Sequence, residues 1–126
     1  MHHSRLAGFI IDSKNINPGV AADFWSPALG MPRVVSQADE DHGYALLDTG
    51  AYHLHIETQQ VEHESRLHLD IESDDVEAEV VRLENLGATR LKKVRNWWVM
   101  QAPTGHRFCV VYTANVSDRP GVNRWA

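Results

Sequence analysis

Two stretches of the chain carry imidazole and carboxylate side chains in positions that suit chemistry. His55 and Glu57 are two residues apart in the stretch 51–58, and His68 lies in a second stretch where polar and apolar residues alternate. A histidine has an ordinary pKa of about 6.5, so it can act as a general base or as a metal ligand near neutral pH. His68 and Glu57 are therefore the candidate catalytic residues, and His55 is a candidate for ligand contact.

A thiol and a guanidinium stand two residues apart near the end of the chain. Cys109, the one cysteine, lies in the apolar stretch 108–111, where it can act as a small hydrophobe, a metal ligand or a nucleophile. Arg107 can hold an anionic group through two parallel hydrogen bonds, or it can be a surface charge at the mouth of a strand.

Aromatic side chains offer a wall for a planar or apolar ligand. Trp97 and Trp98 are adjacent in a strand, so they point to opposite sides and one of them is expected to face a pocket. We expect that residue to be Trp98, and we add Tyr44 and Phe9 as further candidates for ligand contact.

The first half of the chain has the pattern of a strand, a helix and three more strands. Asn17 followed by Pro18 predicts a helix start, and Gly30 predicts its end. Phe24 and Trp25 are expected in the core of this half. The predicted strands cover residues 6–11, 33–38, 42–48 and 51–58.

The same order returns after a polar linker at residues 59–65. Ser73 to Asp75 supply caps for a second helix, and Gly87 closes it. The tail from residue 114 is polar, contains proline and glycine, and is expected to be mobile in part. The predicted strands cover residues 67–72, 88–94, 97–101 and 107–112.

Short repeated motifs support a duplication. Arg5-Leu6 and Arg66-Leu67 stand 61 residues apart, and Leu29-Gly30 and Leu86-Gly87 stand 57 apart, between the same predicted elements. The sequence therefore predicts an α+β fold of two tandem β-α-β-β-β units, about residues 5–58 and 66–113, within a single domain spanning 1–126.

The composition narrows the function classes. The chain has 126 residues and a hydrophobic content of 43%, which are enough for a hydrophobic core. Its net charge of −5 disfavours a nucleic-acid partner. The N-terminus lacks the pattern of a signal peptide, and no apolar run approaches the roughly 18 residues of a membrane span. We expect a cytoplasmic protein without a membrane partner. His2 and His3 follow the initiator directly and enter no argument about a site.

The order and spacing of several motifs resemble the vicinal oxygen chelate superfamily of glyoxalases, bleomycin-resistance proteins and dioxygenases, and within it the glyoxalase-like branch. The resemblance covers residues 5 to 113. It implies that eight strands form a cupped sheet that holds a small organic molecule, with the helices on the convex side, and that the chain forms a homodimer. The motifs that carry it are Phe24-Trp25 with Leu29-Gly30, Arg66 to Asp70, Asp75-Val76, Leu86 to Ala88, and Ala102 to Val110.

The resemblance also implies where a metal would lie. His68 matches the ligand on the fifth strand, and the position 61 residues earlier is Ala7, which cannot bind a metal. Cys109 stands where metal-binding members usually place a glutamate, and the fourth strand offers His55 or Glu57. His55, His68 and Cys109 could together hold zinc.

Two functions follow. Loss of a ligand at Ala7 favours a small-molecule-binding protein of the bleomycin-resistance type that needs no cofactor. Retention of His68 favours the alternative, a metal-dependent lyase, isomerase or dioxygenase that uses His68 with Glu57 or His55 and holds zinc as its divalent metal.

Overall fold

The computed structural model describes residues 1–36 and 42–126. Within them it has nine strands and two α-helices, and short 3-10 turns lie at Gly50–Tyr52 and Val116–Asp118. The helices are α1 (Pro18–Leu29) and α2 (Val76–Asn85). The strands are β1 (His2–Lys14), β2 (Arg33–Val34), β3 (Tyr44–Leu47), β4 (His55–Val61), β5 (Arg66–Ser73), β6 (Thr89–Val94), β7 (Trp97–Gln101), β8 (Arg107–Tyr112) and β9 (Asn123–Trp125).

The α+β class and the repeated β-α-β-β-β order are confirmed, and β9 adds a strand that the sequence pattern did not predict. Some strands begin or end at other residues than predicted, because the pairing with a neighbouring strand determines their length. β4 extends to Val61, inside the predicted linker, because it pairs with β1 along its whole length. The predicted strand 33–38 shrinks to two residues, and its positions 37 and 38 lie outside the described residues.

The chain divides into two compact units, residues 8–67 and residues 1–7 with 68–126. In the first, β1 pairs with β4 in parallel, and β4, β3 and β2 pair antiparallel in turn. Asn17 accepts a hydrogen bond from the backbone N–H of Gly19, and Gly30 ends α1 in the left-handed conformation, as predicted. The core of this unit contains Ile11, Ala22, Ala45, Leu47 and Ile56.

The prediction for the aromatic pair of α1 was wrong for one member. Trp25 packs against the core cluster, but Phe24 is 63% exposed and touches the Trp25 ring edge-on, with the ring centroids 5.0 Å apart. A 3.6-residue period places neighbouring residues about 100° apart around the helix, so the two rings point in different directions and Trp25 is the one that packs on the core.

In the second unit, β5 pairs with β8 in parallel, and β8, β7 and β6 pair antiparallel. Asp75 caps α2 by accepting a hydrogen bond from the backbone N–H of Ala78. The core that α2 forms with the strands contains Val80, Leu83, Ala88, Met100, Phe108 and Val110.

The C-terminal tail is tied down, which the polar composition did not predict. Residues His2 to Ser4 pair antiparallel with Asn123 to Trp125, so β9 and the start of β1 form one ladder. The indole N–H of Trp125 donates to Ser4 Oγ at 2.8 Å, and the Arg82 guanidinium stacks 3.8 Å from the centroid of the Trp125 ring.

A buried carboxylate holds the N-terminal strand against α2. His2 Nε2 lies 2.8 Å from Glu79 Oε1, and Arg82 donates to both carboxylate oxygens of Glu79. Burial alone would raise the pKa of Glu79, but hydrogen bonds from Arg82, His2 and Ser4 outweigh it and hold that pKa below its ordinary value. His2, which the sequence analysis set aside, is therefore part of the fold.

No helix among the described residues is long and apolar enough to cross a membrane.

Gly8 lies where two strands approach closely. It pairs with His55 in the parallel β1–β4 ladder, and a Cβ at this position would lie 1.8 Å from the carbonyl oxygen of His55. Any side chain at position 8 therefore requires the backbone of β4 to move.

We predict that Gly8→Ala lowers the free energy of unfolding by about 3 kcal/mol, because the added methyl overlaps a backbone carbonyl. Chemical denaturation followed by circular dichroism measures the change. The matched control is Gly30→Ala, where nothing lies within 4 Å and the left-handed conformation alone costs about 1 kcal/mol. Equal losses in the two variants would contradict the close approach.

We predict that Glu79→Gln lowers the free energy of unfolding at pH 7 by about 3–5 kcal/mol, because His2 and Arg82 lose a buried charged partner. Since the folded pKa of Glu79 lies below its ordinary 4.5, its contribution is present above that pH and is lost as pH falls through the folded value. When the pH is lowered, the free energy of unfolding should therefore fall less in Glu79→Gln than in the unaltered chain.

Glu84→Gln is the matched control on the same helix. Glu84 pairs with Arg90 in a partly exposed ion pair, so its removal should have a much smaller effect. Thermal melts from pH 7 to pH 3 compare the two variants, and a Glu84→Gln effect as large as that of Glu79→Gln would contradict the role of the buried network.

Candidate functional site

The sheet of the second unit has one face packed on α2 and one face turned away from it. Phe108 and Val110 of β8 belong to the core with α2, so alternate residues of the paired strands face the other way. We call this other side the distal face. Its side chains are His68, Asp70 and Glu72 of β5; Arg107, Cys109 and Val111 of β8; Trp97, Val99 and Gln101 of β7; and Thr89, Lys92 and Val94 of β6.

Three potential metal ligands converge on the distal face. One ligand atom from each of His68, Asp70 and Cys109 lies within 4.8 Å of the other two, and all three residues are partly buried. His68 Nε2 is 3.7 Å from Asp70 Oδ1. The β5–β8 register pairs Asp70 with Cys109, and the two-residue period of β5 brings His68 to the same face.

The donor set fits zinc. An imidazole nitrogen, a carboxylate oxygen and a thiolate sulfur are all zinc ligands, with bonds of about 2.0–2.3 Å, so tetrahedral ligand atoms lie roughly 3.3–3.8 Å apart. The separations in this cluster are compatible with closure around such an ion. A thiolate is a poor ligand for magnesium or calcium, which prefer oxygen.

Sequence reasoning missed Asp70 as a donor, although it alternates with His68 in the motif that carried the resemblance. The fourth-strand residues His55 and Glu57 belong to the other compact unit, and they are not members of this cluster. The signal that could have found Asp70 was its even spacing from His68, which guarantees a shared face in a strand.

The first unit has a polar face of its own. Ile56 and Thr58 of β4 are buried, and on the other face His55 Nε2 contacts Glu57 Oε1. Tyr44 faces the same way, and its hydroxyl accepts a hydrogen bond from Gln59 Nε2 at 3.1 Å. His53 is not part of β4, because it lies before the strand in a left-handed turn with φ 52°.

Two candidates for ligand contact lie on the helix side instead. Trp98 packs against the core that includes Val80 and Met100, with the Arg90 guanidinium 5.0 Å from its ring centroid. Phe9 packs against the core of the first unit. The tryptophan of the distal face is Trp97, not the expected Trp98. Trp97 is two residues from Val99 on the same strand, so it shares a face with Val99, and Val99 pairs with Cys109.

The strand-one position equivalent to His68 also changes. Phe9 and Ile11 pack on the helix side of β1, as Leu69 and Ile71 do in β5. Because side chains alternate along a strand, the offset in residue number between the two repeats must be even. An offset of 60 satisfies this and aligns the buried Ser13 and Ser73, which makes Gly8 the equivalent position rather than Ala7. The same offset makes Ile10 equivalent to Asp70. Ile10 pairs with Glu57 and Asp70 pairs with Cys109, so Glu57 is equivalent to Cys109.

An apolar cavity of ≈ 240 Å³ lies on the helix side of the second unit. It faces away from His68 and Cys109 and has almost no polar surface, so it belongs to the packing of α2 rather than to the metal-ligand cluster. Its lining residues are Leu69, Ile71, Leu83, Leu86, Ala88, Ala102, Pro103 and Phe108.

Comparison with solved structures shows the fold. A hypothetical protein from Bacillus halodurans has a TM-score of 0.65 at 13% identity, over 87% of this chain and 94% of its own. Methylmalonyl-CoA epimerase from Mycobacterium tuberculosis has a TM-score of 0.62 at 15% identity, over 90% and 91%. A Streptomyces coelicolor methylmalonyl-CoA epimerase variant in complex with 2-nitronate-propionyl-CoA has a TM-score of 0.58 at 15% identity, over 87% and 94%.

Sequence comparison gives the family. No curated protein sequence matches the chain significantly. The family described as a glyoxalase-like domain matches residues 9–111, which include β4, β5, most of β8 and the cluster of His68, Asp70 and Cys109. The chain therefore belongs to the glyoxalase-like domain family.

Proposed function

We propose that this protein binds a small organic molecule on the distal face, beside a zinc ion held by His68, Asp70 and Cys109. The observation that carries the proposal is the convergence of one ligand atom from each of these residues within 4.8 Å. Three protein ligands leave a fourth position open, which is the arrangement of zinc sites that bind water or a ligand oxygen.

The surroundings of the cluster support a binding role. Arg107 lies next to Cys109 on the same strand face, and Val99 and Trp97 give the face an apolar part. Small-molecule sites usually combine an apolar surface with a few polar groups that fix orientation. The Streptomyces coelicolor methylmalonyl-CoA epimerase variant is in complex with 2-nitronate-propionyl-CoA, and this supports the same general role, binding of a small molecule, here.

Each residue would have a separate task. Bound zinc would act as a Lewis acid toward a ligand oxygen. Asp70 and Cys109 would supply negative charge to hold the ion, and His68 would complete the set with its neutral imidazole. Since both strands are part of a four-stranded ladder, the ligands are fixed by the sheet rather than by loops. The homodimer and the cytoplasmic location expected from the sequence remain predictions.

We predict that the metal-free chain binds one equivalent of zinc, and that His68→Ala, Asp70→Asn and Cys109→Ser each weaken binding by more than about 100-fold. The loss of affinity on removal of a direct ligand should exceed the 10–100-fold loss that is typical when a residue that hydrogen-bonds to a ligand is removed. Isothermal titration with zinc, in competition with a chelator of known affinity, measures the change.

His55→Ala is the control that separates two ligand sets. The set implied by the resemblance contains His55, whereas the set proposed here contains Asp70 in its place. Unchanged zinc affinity in His55→Ala together with a large loss in Asp70→Asn supports the proposed set. The reverse result, or no zinc binding by the intact chain, would contradict it.

The second candidate function is an enzyme, a metal-dependent lyase, isomerase or dioxygenase that uses His68 with Glu57 or His55. The contact between His55 Nε2 and Glu57 Oε1 favours it, because a carboxylate that orients an imidazole is a common arrangement for proton transfer. His55 would hold or move the proton, and Glu57 would position the ring.

We predict for this alternative that the zinc-loaded chain exchanges the α-proton of methylmalonyl-CoA with D₂O, and that Glu57→Gln slows the exchange by about 100-fold, the lower end of the usual range for acid–base catalysis. Proton NMR follows the exchange. His63→Gln, which changes an exposed histidine outside β4, is the control. Exchange that is equally fast in Glu57→Gln would contradict a role for the pair.

A further inference from the structure

The charges of the second unit are segregated along the sequence. Residues 85–117 contain five of the 12 lysines and arginines and none of the 17 acidic residues, although the whole chain has a net charge of −5. These five cations lie in or beside the three strands β6, β7 and β8. The five residues are Arg90, Lys92, Lys93, Arg95 and Arg107.

Four of these cations are divided between the two faces of the sheet. Arg90 and Lys93 pair with Met100 and Trp98, so they lie on the side of α2, where Arg90 forms ion pairs with Glu77 and Glu84. Lys92 pairs with Val99, the neighbour of Cys109, so it lies on the distal face with Arg107. In the part of the chain that the structure describes, neither Lys92 nor Arg107 forms an ion pair.

The two cations flank the metal-ligand cluster at short range. Arg107 is two residues from Cys109 along β8, about 7 Å, and Lys92 is two strands away, about 9.5 Å. Val99 lies between Cys109 and Lys92, and Trp97 and Val111 continue the apolar surface beyond it. A small molecule over Val99 could therefore reach the cluster, a cation and an apolar floor at once.

The charge balance of the loaded site favours an anion. Zinc carries two positive charges, and the carboxylate of Asp70 and the thiolate of Cys109 cancel them, while His68 is neutral as a ligand. The other carboxylate of this face, Glu72, is already engaged by Arg5 and Arg119. Arg107 and Lys92 then leave an uncompensated positive field on the distal face.

We propose that the ligand of this site is a small carboxylic acid with an apolar body, whose carboxylate is bound by Arg107 with Lys92 as an outer charge. The proposal rests on the proposed zinc site. The planar fork of Arg107 matches a carboxylate in a bidentate geometry, and Gln101, its partner across the β7–β8 ladder, lies beside it. Val99 and Trp97 account for the apolar body.

Benzoate and its neutral isostere benzamide are the probes, and isothermal titration of the zinc-loaded chain is the measurement. We expect benzoate to bind at least about tenfold more tightly than benzamide, because hydrogen bonds to charged groups are the stronger ones. We expect benzoate to bind more weakly to the metal-free chain, since the charges of the ligand residues are then not cancelled by an ion.

Two variants on the distal face and one on the helix face locate the anion. Arg107→Gln should weaken benzoate binding about tenfold or more, and Lys92→Gln about two- to fivefold, with benzamide unaffected in both. Lys93→Gln removes the same charge from the same strand on the other face, and it should leave benzoate binding unchanged. Zinc affinity is measured in every variant and should stay at the level of the unaltered chain.

The outcomes separate the two proposals. Absence of zinc binding contradicts the proposed function itself. Normal zinc binding with equal affinity for benzoate and benzamide overturns the carboxylate inference alone, and so does a benzoate preference that survives Arg107→Gln. Inorganic phosphate that binds more tightly than benzoate would overturn the choice of a carboxylate with an apolar body.

Discussion

The parallel pairing of β5 with β8 positions the candidate functional side chains of the second unit. It sets Leu69 opposite Phe108 and Asp70 opposite Cys109, so that apolar residues from both strands meet α2 on one face and polar residues meet on the other. A slip of one residue in either strand would exchange its faces and bury a polar side chain under α2. The hydrophobic contact with α2 therefore specifies the position of Cys109 relative to His68.

The two ends of the chain stabilise this arrangement from the far end of β5. Ser73 Oγ donates to the carbonyl oxygen of His3, and the buried Glu72 is held by Arg5 and Arg119. Glu72 shares a face with His68 and Asp70, but its charge is neutralised by arginines from the N-terminal strand and the C-terminal tail. The carboxylate of Asp70 instead lies next to His68 and Cys109, the other two residues of the proposed zinc site. The neighbours of the two carboxylates on this strand therefore differ, and the proposed zinc site uses only Asp70.

Much of the fold could be predicted from local patterns, and the limits of the prediction have physical causes. Asn17, Gly30 and Asp75 mark helix ends because capping depends on a few adjacent residues. β9 could not be predicted, because its stability comes from a pairing with His2 to Ser4 more than a hundred residues away. Trp97 and Trp98 show the same limit for the site. Alternation requires opposite faces, but only the register with β8 decides which tryptophan joins Cys109.

The strand-one position shows how a repeat can leave two sites unequal. The equivalent of His68 is Gly8, and the approach of the His55 carbonyl leaves no room for a Cβ there. A ligand at that position would require a change of the β1–β4 ladder as well as a substitution, so the first unit has no counterpart of His68. The second unit instead combines Asp70 with Cys109, the equivalent of Glu57, and gathers its donors on two adjacent strands. In the proposed site a thiolate would be one of three ligands, which favours zinc over ions that prefer oxygen ligands. Arg107 and Lys92 lie on the same face and form no ion pair within the described residues, so a zinc ion neutralised by Asp70 and Cys109 would leave these two positive charges available to an anionic ligand.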